Sequence, residues 1–376
     1  MENVKKLPEL LKAKKGYELN MMIGLDGFVD EIVHMVDKRH DFDTFTRIKT
    51  ISDLGSRISK AAGLSTNIEL VSTQSKLGGN GPILANALIE YGVKLTYVGS
   101  LGKPDIHPVF RPMAEKAVAV HSICEAGHTD ALEFEDGKIM MGKITSLNEL
   151  TWENCKKELG GAEGIAKMLK NINLLGLENW TMVPHMADIW EGIINEVFPL
   201  LPTSAEKPLA FFDLADPEKR TKEDMMRAMK LIGKFEEKYR TILGLNEKEV
   251  YQIADAMGVG VSESDPDRLK NATMATYKAL GIYGVVVHPV KCACLAIENE
   301  YYYVDGPYCQ KPKLTTGAGD NFNAGFCLAQ SLGLDAVSSL TLGVCTSGFY
   351  VRNAKSPTFE DVINFAEKWG SGQLVD

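Results

Sequence analysis

Hydrophobic and polar positions along this chain fall into two kinds of block that take turns. Short apolar or alternating runs predict strands, and longer runs with apolar residues at three- and four-residue steps predict helices. Strand-like runs stand at 19–33, 93–99, 172–177, 209–214, 241–246 and 285–288. Helical spacing marks 1–16, 83–91, 186–198, 222–239, 247–254, 335–350 and 359–369. Two stretches depart from this rhythm. Residues 128–142 alternate around Glu135-Asp136-Gly137-Lys138 and predict an inserted hairpin. Residues 292–297 and 301–304 predict a second hairpin, over Glu298-Asn299-Glu300. The run at 285–288, Val-Val-Val-His, reads as a central strand. Strands alternating with helices over most of a chain imply a doubly wound, mostly parallel α/β sheet with helices on both faces.

Composition narrows the picture without changing it. The 376 residues are 45% hydrophobic and 24% charged, ordinary values for a globular chain with a sizeable core. A formal charge of −9 opposes any general nucleic-acid surface. No apolar run approaches the ~18 residues of a membrane span, and the charged opening stretch predicts no export signal, so a cytoplasmic protein is expected. The seven cysteines are odd in number and scattered; buried free thiols are the expectation.

Candidate chemistry gathers at segment ends. Residues 315–326, TTGAGDNFNAGF, place glycines before a helix and an acid, Asp320, in its first turn. Such a turn leaves the amides of Ala318, Gly319 and Asp320 without helical partners, which suits an anion, with Asp320 placed to take a proton from an attacking hydroxyl. Asp26 and Asp30 sit in the apolar run 19–33, where at least one of them is expected to meet a ligand. Gly78-Gly79-Asn80-Gly81-Pro82 opens a helix with a turn that lets a ligand approach the backbone. Asn246 and Glu249 have the spacing of a capping box and could equally face a cleft. The phosphate loop GxxxxGK[ST], the dinucleotide GxGxxG, the nucleophile elbow GxSxG and the zinc helix HExxH are all missing.

Gly78-Gly79, Asn246-x-x-Glu249 and Thr315-Thr316-Gly317-Ala318-Gly319-Asp320, in that order, make the chain resemble the PfkB (ribokinase-like) carbohydrate kinases. The resemblance implies a three-layer α/β/α sandwich forming one kinase domain over 1–376, with a small β lid from about 31–50 and 105–145. It implies ATP- and Mg2+-dependent phosphorylation of a hydroxyl on a sugar-like small molecule. Asp320 would be the base, and Gly317, Ala318 and Gly319 the anion hole. Asp30, Asp26, Gly78, Gly79 and Asn80 would meet the substrate. Asn246, Glu249, Thr316 and Asn353 would serve ATP and magnesium, Glu249 through water. A homodimer joined through unpaired lid edges is also expected. Ile83 stands where the family has Asn, with Asn80 as its substitute, and Leu314 replaces a cation-holding Asp, so potassium activation is not expected. Pro289 replaces a nucleotide-side Gly, and the chain is long around 146–170 and 200–240. The alternatives are a nucleoside kinase of the same fold, or a binding or regulatory protein that has lost turnover.

Overall fold

The strand Leu209–Asp213 shows how the main layer is built. Leu209 and Phe211 enter one hydrophobic core, while Ala210 and Phe212 enter another. Neighbouring strands divide the same way: Met21 and Ile23 against Met22 and Leu25, and Val286 against Val285 and Val287. A sheet that is apolar on both faces must be covered on both, so the expected two helical layers follow from the strands themselves. Helices Glu2–Ala13, Asn80–Glu90, Ala318–Ser331, Ala336–Asn353 and Phe359–Gly370 supply the first core. Trp152–Leu159, Gly161–Leu169, Lys222–Phe235 and Glu247–Ala256 supply the second, which is where much of the added length around 146–170 and 200–240 goes.

The computed structural model describes residues 2–203 and 206–374. In chain order the first strands are β1 (Asn20–Leu25), β2 (Phe28–Arg39), β3 (Phe45–Arg47), β4 (Leu70–Gly78), β5 (Lys94–Gly99), β6 (Ala119–Ser122) and β7 (Gly127–Glu133). They are followed by β8 (Lys138–Lys143), β9 (Leu174–Glu178), β10 (Leu209–Asp213), β11 (Arg240–Leu245), β12 (Gly284–Val287), β13 (Cys292–Ile297) and β14 (Glu300–Asp305). Nine form the main sheet in the order β14-β13-β12-β11-β10-β9-β1-β5-β6. Only β13 runs antiparallel to its neighbours; every other adjacent pair in this sheet is parallel. Strand β12, read from sequence as central, lies third from an edge, with the β13–β14 hairpin outside it. Helices bury both its faces wherever it stands in the order, so its composition could not reveal its rank.

From β1 the chain winds outward through β5 and β6, then returns to β9 and winds the other way. The order therefore reverses between β1 and β9, and the crevice beyond the carboxyl ends of those strands is where such sheets take ligands.

The run 19–33 splits there. β1 ends at Leu25, Asp26-Gly27 turns, and β2 leaves into a second, smaller sheet with β3, β4, β7 and β8. β2 pairs antiparallel with β4 and parallel with β7, and β7 pairs with β8 in the expected hairpin. Of the stretch 105–145, residues 119–122 belong to the main sheet as β6, whereas 70–78, a run without periodic pattern, joins the smaller one. A small core of Val33, Met35, Ile48, Leu54 and Leu132 seals one face of this sheet under the helix Ile51–Lys60.

Candidate active site

Five parallel strands of the main sheet deliver polar residues to one rim. Asp26 follows β1, Glu178 ends β9, Asp213 ends β10, Asn246 follows β11 and His288 follows β12. The smaller sheet stands over this rim and encloses a cleft of about 870 Å³. Asp30 and Thr129 line it from the lid, Asn80, Asn179 and Asp320 from the body.

Asp26 and Asp30, both expected at the substrate with Asp30 the better match to the family pattern, take different positions. Asp26 is fully buried and lies outside the cleft lining. Its Oδ2 accepts from the Asn80 amide at 3.1 Å and from Asn179 Nδ2 at 2.7 Å, and its Oδ1 from the Gly81 amide at 2.9 Å. It thus anchors the start of the helix Asn80–Glu90. Gly79, with φ of 93°, passes so close that a Cβ would lie 2.6 Å from Asp26 Oδ2. Only glycine serves there. Asp30 faces the cleft, opposite Lys76 on β4, and the backbone of Gly78 passes against its carboxyl.

Gly317, with φ of 89°, starts the helix Ala318–Ser331. The Ala318 amide is already bonded to Thr315 O at 3.1 Å, so the three-amide hole expected from sequence is reduced. No backbone carbonyl among the described residues accepts from Gly317, Gly319 or Asp320, which leaves the amides of Gly317 and Gly319 open. Asn80 Nδ2 donates to Asp320 Oδ1 at 2.9 Å, and among the described residues none bonds Asp320 Oδ2 from another side chain. Burial, with the nearby charges of Asp213 and Asp26, pushes the Asp320 carboxyl well above the usual carboxylate range. Asn80, expected against substrate, therefore also orients the acid it faces.

Asn246 and Glu249 form the capping box: the Asn246 amide donates to Glu249 Oε2 at 2.8 Å, and the Glu249 amide to Asn246 Oδ1 at 3.0 Å. Glu249 Oε1 accepts from the Asp216 amide at 2.8 Å. Both residues also line the cleft, so the cap and the cleft wall are the same structure. With both oxygens occupied, Glu249 is suited to reach a cation through water. Thr316 lines a separate groove behind the turn, where its carbonyl accepts from Tyr350 Oη at 2.8 Å. Asn353 ends its helix with Nδ2 on Phe349 O at 2.8 Å and lines none of these hollows. Ile83 and Leu314 both line the rear groove, not the cleft, and Ile83 packs under Gly317.

Several site residues escaped sequence reasoning. Asp213 is buried, accepts from the Ala215 amide and Asn323 Nδ2, both at 2.9 Å, and is pushed up to about 8 by burial and by Glu249. Glu178 is fully buried with neither oxygen hydrogen-bonded, and its pKa is driven up by burial and by Asp213, Asp320 and Asp26. Arg220 donates to the carbonyls of Thr181 at 3.0 Å and Val183 at 2.8 Å, tying one cleft wall to the loop after β10. The usable signal was an acid at the end of an apolar run; nothing in the sequence marked Arg220.

A second, apolar cavity of about 270 Å³ adjoins the first. Pro289, Cys292, Pro307, Tyr308 and Phe322 contribute to its lining.

A family model described as prokaryotic ketohexokinase matches residues 2–369. The chain belongs to that family. The ketohexokinase of Haloferax volcanii is 28% identical over 348 residues, covering 92% of this chain and 90% of that one. Arabidopsis thaliana ribokinase, solved with ribose and ATP, superposes with a TM-score of 0.61 at 15% identity, over 93% of this chain and 98% of that one. An Escherichia coli protein provisionally assigned as ribokinase II, solved with ATP and Mg2+, gives 0.60 at 15% identity, over 94% and 100%. The fold of this ketohexokinase-family chain is thus ribokinase-like, as the motifs implied. Its activity is that of a carbohydrate kinase, a phosphotransferase with an alcohol acceptor.

Proposed function

We propose that the chain transfers the γ-phosphoryl group of ATP to a hydroxyl of a ketohexose. The observation that carries this reading is the position of Asp320: at the floor of the cleft, in the turn whose Gly317 and Gly319 amides are open, and held by Asn80. The sugar occupies the space between Asp30 and Thr129 above and Asn80 and Asn179 below. The apolar cavity takes the flat base of the nucleotide. Asp320 accepts the proton of the attacking hydroxyl. Its raised pKa makes it a stronger base than an exposed aspartate, and Asn80 fixes which oxygen faces the substrate. The open amides meet the charge that grows on the transferred group without having to reorient.

The oxygen-rich rim of Asp213, Asp216, Asn246 and Glu249 fits a hard divalent cation. The like charges that raise Asp213 are what such an ion would offset. Magnesium bound with the nucleotide would neutralise charge on the phosphate oxygens.

The test is coupled ADP release over a panel of ketohexoses, aldoses and nucleosides, with the product identified by NMR. Ketohexose turnover that requires ATP and Mg2+ is expected. Preference for a nucleoside, or no ADP release with any hexose, overturns the assignment.

A further inference from the structure

The cleft and the apolar cavity share two lining residues, His288 and Gly319. A chain of phosphates running from base to sugar passes between them. Gly319 brings an open amide. His288 follows β12, its own amide fixed to Leu245 O at 3.0 Å, and its ring lies on Phe322 with centroids 5.0 Å apart. A Cβ on Gly319 would sit 3.0 Å from His288 Cε1, so ring edge and amide converge on one place.

The ring is held chiefly by packing on Phe322: among the described residues, no other residue hydrogen-bonds its nitrogens, and the one backbone contact to the ring is His288's own. The residue is half-buried, and neither ring nitrogen is sealed in the core without a partner. Here they are left to the throat. Burial lowers the pKa to about 4, so the imidazole is neutral at working pH, with one N–H and one lone pair. A neutral ring does not compete with Asp320 for the substrate proton.

We infer that His288 is a catalytic residue of this chain, donating a hydrogen bond directly to the nucleotide's phosphate chain beside Gly319. The inference rests on the reading that sugar and nucleotide fill the two cavities. It concerns a position where the chain departs from the pattern it otherwise resembles, the His288-Pro289 step after β12. The ring adds a donor on the wall facing the turn, where a leucine of similar bulk would offer none. Donors aimed at developing charge are each worth ~10²–10³ in rate.

His288→Leu, His288→Gln and His288→Asn separate donation from packing. For His288→Leu, kcat/KM for ATP should fall ~10²-fold, with the KM for sugar and the melting temperature close to wild type. The Gln or Asn variant should recover at least about tenfold of that loss, because each restores an N–H. The deficit should be constant from pH 6 to 9, since the ring does not titrate there. Affinity for a fluorescent ATP analogue, read without sugar, should drop in parallel. His288→Leu with wild-type kcat/KM for ATP overturns the inference. So do three equally impaired variants with lowered melting temperatures, which would make the ring a packing element. Failure of the wild type to use ATP with any sugar would instead sink the nucleotide reading itself, whatever the variants do.

Discussion

Asp320 was legible because everything it needs locally is contiguous: glycines, a helix start and an acid in the first turn. What surrounds it was not. Asn80 meets it across 240 residues of sequence. Asp26, read beside Asp30 as a substrate residue, is placed beneath the turn as its anchor. Asp320→Asn should lower kcat by ~10²–10⁴ while leaving the melting temperature near wild type, checked by steady-state kinetics and calorimetry. The pH profile offers a finer measurement. As the proposed base, Asp320 must be ionised, and burial with the Asp213 and Asp26 charges raises its pKa, so kcat/KM should climb with pH through a value above the ordinary carboxylate range. Asp213→Asn removes one of those charges. The acid limb of the profile should then move to lower pH; an unmoved limb would mean that Asp213 does not act on the base.

Most elements with one buried face were read, because burial imposes a period, although the helices Trp152–Leu159, Gly161–Leu169 and Arg268–Leu280 were not. Both hairpins and most helices of the main body follow from that. The strand β4 did not, since Ser72 to Ser75 are exposed and leave no alternation to read. The Asn246–Glu249 pair was readable as a cap, but its second duty at the cleft wall belongs to the fold. Glu249→Ala removes the partner of two backbone amides and should cost ~1 kcal/mol or more of stability. The magnesium concentration needed for half-maximal activity should rise in the same variant; an unchanged requirement would confine Glu249 to capping. The helix carrying Asp320 is held by close packing on the helix Ala336–Asn353. A Cβ at Gly343 would lie 2.6 Å from Phe322 Cε2. Gly343→Ala should therefore destabilise the chain by roughly 1–3 kcal/mol in denaturant titrations, and lower kcat as Asp320 shifts.

At the scale of the molecule, several acids crowd one rim, where Lys219 and Lys248 pair with Asp216 but Asp26 and Asp213 stay buried without an ion-pair partner among the described residues. Burial raises Asp26 to about 7 and Asp213 to about 8, both above their unfolded values near 4. A group whose folded pKa is raised stabilises the fold while protonated, fully below the unfolded pKa, and that stability is lost as pH rises through the folded one. Stability without nucleotide and metal should thus decline from about pH 4 to pH 8, by an amount on the order of a few kcal/mol. Denaturation midpoints across that range check it. Asp213→Asn should flatten the decline, and a midpoint that instead rises steadily to pH 8 would contradict the argument.

The sequence by itself determined the class of fold, the two hairpins, the Asn246 cap and the acid at the helix start. Each is encoded within a few residues, by period, turn chemistry or capping. The tertiary structure decided that Asp26 is buried under the Asn80 turn while Asp30 lines the cleft, that Asn80 reaches Asp320, that the Ala318 amide is taken by the Thr315 carbonyl, and that His288 lies where two cavities meet. Those outcomes depend on strand order and register, which local patterns do not carry. The reversal between β1 and β9 places residues from distant segments on one rim, and only there do their charges and hydrogen bonds act on one another.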